Sequence, residues 1–130
     1  MIVLDASAVL EWLLRSQTGT IVERRMFSHS TTLHAPHLLD VEVAQVLRRY
    51  VLAGWLTPAR AEEAIEDFVG LPLNRYAHDL LLDRIWELRN NLSAYDGAYV
   101  ALAELLDAPL ITCDRKIATA PGSRARVEVL

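Results

Sequence analysis

Apolar and polar positions alternate along this chain in two rhythms, short unbroken runs and longer stretches with helical spacing. Ile2–Leu4 is the first run and predicts a short buried strand. Over residues 7–15, Val9, Leu10, Leu13 and Leu14 recur at helical spacing, so strand passes into helix at Asp5. Thr18 or Thr20 can begin a second helix carrying Ile21, Val22, Met26 and Phe27. It ends in the polar SHSTT stretch, before an extended piece over residues 33–35. Pro36 introduces a long helix, about residues 38–53, stopped by Gly54. The segment LTPARAEEAIEDFVG states its own helix ends, with Thr57 as N-cap, Pro58 at the first helical position and Gly70 at the stop. Residues 71–76 are a weaker strand. A helix over residues 78–89 follows, with the stripe Leu81, Leu82, Ile85 and Leu88. Ser93 caps the next helix, which turns Tyr95, Ala98, Tyr99, Leu102, Leu105 and Leu106 inward. Residues 109–113 form another strand, RKIATA a short helix, and VEVL a last strand.

Strands separated by helices imply parallel pairing with helices on both faces of one sheet, an α/β fold. In an open parallel sheet the strand C-termini share one edge, and the functional crevice lies where strand order reverses. The runs in MIVLDASAV and PLITCDRKIA both stop on an aspartate, so Asp5 and Asp114 fall on that edge.

Length and charge narrow the function. At 130 residues the chain is read as one domain, 1–130, with 52% hydrophobic and 23% charged residues, a globular composition. The net charge of −4 has the wrong sign for holding nucleic acid by bulk electrostatics, so such a partner requires local basic patches or bound metal. One cysteine, Cys113, excludes an intrachain disulfide framework and a multi-cysteine zinc site. Asp5 and Glu11 interrupt any signal-like apolar segment, and no run is long enough to span a membrane; a reducing cytoplasm is the expected location.

Each acid has an ordinary reading. Asp5 and Asp114 can cap the helices that follow them. Asp96 stands three residues after Ser93, the acidic place of a capping box. On the long helix, Leu39, Val43, Val46, Leu47 and Tyr50 define the buried stripe, with Asp40 inside it and Glu42 on its flank. An acid early in a helix is favoured by the dipole whatever its role, and the wheel does not choose between these two. Acids gathered at one sheet edge are different, because close carboxylates repel unless something positive sits among them. Oxygen donors without a His or Cys cluster suit Mg²⁺ or Mn²⁺, ions that activate a water and stabilise charge on a phosphodiester.

MIVLDAS, VEVAQVLRR and LSAYDGAYVALAELLDAPLITCDRKIA, in this order and spacing, resemble the successive motifs of PIN-domain ribonucleases, specifically VapC-type toxins of toxin-antitoxin pairs. The resemblance implies a three-layer α/β/α fold with a central, mostly parallel sheet, and a Mg²⁺-dependent endoribonuclease, Mn²⁺ being a possible substitute. It carries the four metal-holding, catalytic acids to Asp5, Glu42, Asp96 and Asp114, so selecting Glu42 over Asp40, and gives Ser7 and Thr112 supporting roles. It further implies a homodimer and a VapB-type antitoxin partner. Promoter DNA would be reached only through that partner, and an arginine of its tail would enter the carboxylate site. The chain has Gln45 where many relatives have Asn, and Arg115 and Lys116 follow Asp114 where others have another acid.

Other features point nowhere stronger. His34 and His37, spaced H-x-x-H, lack a third ligand and read as a loop coincidence. Cys113 reads as a small buried hydrophobe, and Trp12, Trp55 and Trp86 as core or interface anchors. Arg15, Arg24, Arg25, Arg48, Arg49, Arg115 and Lys116 offer local positive potential for an RNA backbone, or a solvated surface. A phosphoacceptor domain would have adjacent acids after the first strand and a dehalogenase-like phosphatase D-x-D, whereas Asp5 is followed by Ala6 and Ser7. The remaining alternative is a non-catalytic PIN-like module that only binds RNA or protein; the four acids favour the nuclease.

Overall fold

A computed structural model describes all residues 1–130. Its strands are β1 (Ile2–Leu4), β2 (Leu33–Pro36), β3 (Leu73–Tyr76), β4 (Leu110–Thr112) and β5 (Val127–Val129). Between them run α1 (Ala6–Leu13), α2 (Gln17–Met26), α3 (Leu38–Leu52), α4 (Pro58–Val69), α5 (Leu82–Glu87), α6 (Ala94–Leu106) and α7 (Arg115–Ala118). All pairings are parallel, in the order β3-β2-β1-β4-β5. The chain builds outward from β1 to β3 and then returns to place β4 on the other flank of β1. Strand order therefore reverses between β1 and β4, which puts the crevice at the ends of those two strands.

Helices α1 to α4 pack on one another, α5 packs on α6, and α6 lies across β1, β2 and β4, giving the three-layer α/β/α arrangement. One apolar cluster fills the layers, with Val3, Leu4, Val9, Leu39, Val43, Leu102, Leu110 and Ile111 fully enclosed. None of the helices is long and apolar enough to cross a membrane.

Local chemistry starts and stops the helices. Asp5, Ser16, Thr57, Ser93 and Asp114 cap α1, α2, α4, α6 and α7 with side-chain oxygens that accept backbone N–H bonds. The second helix thus begins at Ser16, earlier than Thr18 or Thr20. Helix α3 has no cap from its own first residue, His37. Instead, the Leu38 amide donates to Nε2 of His78 at 2.8 Å, tying the helix start to the segment after β3. Gly54, at φ 78°, supplies the left-handed residue just past the end of α3.

Several expectations are corrected. The helix expected over residues 78–89 is a tight 3₁₀ turn, His78–Leu81, followed by the short α5. Leu82, Tyr95 and Leu105 face solvent, at 56%, 63% and 59% exposure. Both α5 and α6 bury one side only at these positions, while the enclosed stretch of α6 is Gly97 to Ala103. Trp55 and Trp86 are exposed and Trp12 is partly buried, so none is enclosed in the core. Cys113 is half-buried rather than enclosed. His34 is not in a loop: it sits inside β2, its ring bonded to Thr32 Oγ1 at 2.8 Å and to the Tyr76 hydroxyl at 2.7 Å.

Candidate active site

The register of β1 against β4, Val3 on Leu110 and Leu4 on Ile111, brings Asp5 alongside Thr112. The Asp5 carboxylate is 4% exposed and accepts three hydrogen bonds. Its Oδ1 accepts from Ser7 Oγ at 2.7 Å and the Ala8 amide at 3.0 Å, and its Oδ2 accepts from Thr112 Oγ1 at 2.5 Å. Thr112 Oγ1 also accepts the Asp114 amide at 2.9 Å, and Ser7 Oγ the Cys113 amide at 2.9 Å. The two hydroxyls, 3.2 Å apart, bridge the ends of both strands and fix Asp5 relative to Asp114. Asp5 is thus a helix cap, as the ordinary reading has it, but a cap whose second oxygen is held by the neighbouring strand.

Glu42 arrives from α3 and is half-buried, its Oε1 accepting the phenol of Tyr99 at 2.5 Å. Tyr99 is 2% exposed and stands one turn after Asp96 on α6, so one helix both presents an acid and grips another. Sequence reading placed Tyr99 merely in the core, because its partner lies 57 positions away and nothing in either segment announces it. Asp40 points elsewhere: both its oxygens take the Arg75 Nε, at 2.9 and 3.0 Å. The two acids of α3 thus have different partners.

The capping box at Asp96 is half-made. Its amide donates to Ser93 Oγ at 3.1 Å, and no bond runs from the Ser93 amide back to the carboxylate. Asp114 caps α7 by accepting the Lys116 amide at 2.9 Å.

Electrostatics join these acids. Burial pushes the Asp5 carboxyl above its ordinary range, against its hydrogen bonds, and the charge of Asp96 pushes it further. Burial likewise raises Glu42, with Asp96 and Asp5 adding to the rise and the Tyr99 bond opposing it. Asp96 is raised by burial and then by the charge of Asp114, with Ser93 and Lys116 opposing. No Lys or Arg forms an ion pair with any of the four, although the surface carries many such pairs. The cluster is therefore a deficit of positive charge lined by oxygen donors, which fits a hard divalent cation in kind and in sign. The side chains do not stand as a closed ligand set; no three of His, Cys, Asp or Glu are drawn together that far. His34 and His37 take no part in it.

The PIN domain family model matches residues 2–122. Ribonuclease VapC1 of Mycobacterium tuberculosis is 40% identical over 129 residues, covering 98% of this chain and 96% of that one. Ribonuclease VapC12 of the same organism is 39% identical over 130 residues, covering 100% and 99%. Among solved structures, VapBC2 from Rickettsia felis, bound to a DNA fragment from their promoter, superposes with a TM-score of 0.74 at 13% identity, over 99% of this chain and 98% of that one. With the family model spanning nearly the whole sequence and relatives of this identity matching end to end, the chain belongs to the PIN domain family, in its VapC group.

Proposed function

We propose that this chain is the toxin of a toxin-antitoxin pair, a Mg²⁺-dependent endoribonuclease working in the cytoplasm through Asp5, Glu42, Asp96 and Asp114. The observation that supports the reading is the placing of these carboxylates along the C-terminal edge of the sheet, where none forms an ion pair with Lys or Arg and their like charges act on one another. Curated relatives named ribonucleases, 40% identical over the full length, support the reaction class.

When bound, Mg²⁺ or Mn²⁺ would supply acidification of water and neutralisation of charge at the phosphodiester. The chain's own residues provide the rest. Ser7 and Thr112 hold Asp5 by both oxygens, leaving it one orientation. Tyr99 holds Oε1 of Glu42 and leaves Oε2 without a hydrogen-bond partner from the chain. Asp114 is set by the Thr112 hydroxyl through its amide, and Asp96 by the Ser93 cap through its own. Arg115 and Lys116, exposed beside Asp114 and in no ion pair, give the RNA backbone the local positive charge that a net charge of −4 withholds.

The partner reading is an antitoxin whose tail enters this crevice, an arginine fork being able to bridge two carboxylates in place of a metal. The toxin-antitoxin complexes among the structural neighbours support an antitoxin partner. Homodimer formation completes the proposal, with exposed Leu82, Trp86 and Leu105 as apolar surface available to a second copy. The test is cleavage by the purified chain. RNA should be cut only with added divalent metal, leaving 5′-phosphate and 3′-hydroxyl ends. Cleavage that persists in EDTA, or 2′,3′-cyclic phosphate ends, would defeat the mechanism.

A further inference from the structure

Three Trp, four Tyr and two Phe make up the aromatic complement of the chain. Every ring but one has a partner inside the protein. Trp12 meets Phe27 edge-on at 5.9 Å, and Tyr50 meets Trp55 at 5.7 Å. Tyr76 meets His34, Phe68 lies under the Arg75 guanidinium, and Trp86 under that of Arg89. Tyr99 donates to Glu42. Tyr95 has no ring, cation or hydrogen-bond partner, and it is 63% exposed.

Its position gives that free ring a meaning. Helix α6 leads into β4, whose C-terminal end opens on the crevice, so α6 runs against the strands and begins at the crevice edge. Tyr95 is the second residue of α6, directly before Asp96 and one turn ahead of Tyr99. Residues four apart share a helix face. Tyr95 thus lies on the Tyr99 face of α6, one turn nearer the sheet edge where the acids lie and directly beside Asp96. Lys116, on α7 two residues after Asp114, is exposed and free of ion pairs, and its backbone amide donates to the Asp114 carboxylate at 2.9 Å.

We propose that Tyr95 is a stacking platform for an unpaired nucleobase beside the scissile phosphate, with Lys116 holding an adjacent phosphate across the crevice. The inference rests on the ribonuclease reading and specifies its substrate as single-stranded at the cut. Any base presents a π-face to the free phenol ring, so stacking there tolerates many sequences. A duplex keeps its bases stacked inside and offers the ring nothing. A protein ligand would use the same ring as an apolar anchor, without regard to RNA strandedness.

The experiment measures binding of fluorescently labelled mixed-sequence RNA of about 12 nucleotides, single-stranded or as a duplex, to the full chain in EDTA by anisotropy. Tyr95→Ala should weaken single-strand binding roughly tenfold, the scale of one lost base stack. Tyr95→Phe and Tyr95→Trp should stay within about twofold of wild type, because the ring and not the hydroxyl is used. Duplex binding should be the same in all four proteins, and in metal-containing cleavage the Ala loss should appear in KM. Trp55→Ala, an exposed ring already paired with Tyr50, should leave single-strand binding as it is. Single-strand affinity that ignores Tyr95→Ala, or falls equally for duplex, overturns the inference even if wild type cuts RNA. Loss of self-association with intact RNA binding would make Tyr95 a protein contact and overturn it too. Wild-type protein that neither binds nor cuts RNA overturns the ribonuclease reading beneath it.

Discussion

Glu42 and Asp40 lie on the same helix two residues apart, and their surroundings assign them opposite tasks. Asp40 is neutralised by Arg75 on β3, whereas Glu42 has only a phenol and like charges around it. Removing the Glu42 charge should therefore not harm the metal-free fold: Glu42→Gln keeps an acceptor for Tyr99 and loses the repulsion. Its melting temperature in EDTA should equal or exceed that of wild type; a clear drop would make the acid structural. Tyr99→Phe removes one buried bond, costs about 1 kcal/mol of stability, and frees Glu42 to rotate. Calorimetric titration with Mn²⁺ should show affinity about 10–100-fold weaker in that variant, and unchanged affinity would remove Tyr99 from the site. Neither contact is visible in a single sequence, because each joins residues from segments whose local patterns are satisfied without it. The acids themselves stand out in the sequence only through strand runs that end on Asp and through the family motifs.

Close approach of elements is decided at positions where the sequence shows only a small residue. A Cβ added at Gly19 on α2 would fall 2.1 Å from the Glu11 carbonyl oxygen of α1, a backbone clash that no rotamer relieves. Gly19→Ala should destabilise the protein by about 1–3 kcal/mol in urea melts, and a neutral outcome would mean the two helices slide freely. On the other side of the sheet, Arg84 of α5 binds Glu104 of α6 at 2.7 and 3.1 Å and the Gly122 carbonyl at 2.8 Å, stapling the C-terminal loop. Burial pushes Glu104 upward, but the Arg84 bonds, the Arg124 amide and both guanidinium charges outweigh it and hold the carboxyl below its ordinary 4.5. The folded state therefore binds this proton less readily than the unfolded chain. Its stabilisation is complete above about pH 4.5 and fades as pH falls through the native value. Glu104→Gln should cost about 1–3 kcal/mol at neutral pH, and the difference from wild type should shrink in acid. A gap that stays constant with pH would dismiss the ion pair. Helix periods located α1, α3, α4 and α6 well, since caps and stop signals are local chemistry. They misjudged Leu82, Tyr95 and Leu105, because a wheel gives the width of an apolar stripe but not how much of it a neighbouring layer covers.

For the whole molecule, strand order follows from the chain itself. Parallel strands need helical crossovers, and a return across β1 after β3 puts the reversal of strand order between β1 and β4. That topology sets Asp5 and Asp114 at the C-terminal ends of β1 and β4, and Glu42 and Asp96 near the starts of α3 and α6, at the same edge of the sheet. Sequence alone conveyed the class of fold and the shared edge; the order of strands came from pairings between segments whose patterns are interchangeable. The central claim is that the four carboxylates act as one cation-dependent catalytic unit on RNA. Initial RNA-cleavage rates against Mg²⁺ concentration, for wild type, the single carboxamide variants at positions 5, 42, 96 and 114, and Asp40→Asn, test it directly. The account predicts a saturable Mg²⁺ dependence in wild type and Asp40→Asn, and rates lowered about 100-fold or more in each of the four others. Undiminished cleavage in any two of those four, or a wild-type rate indifferent to Mg²⁺, would contradict it.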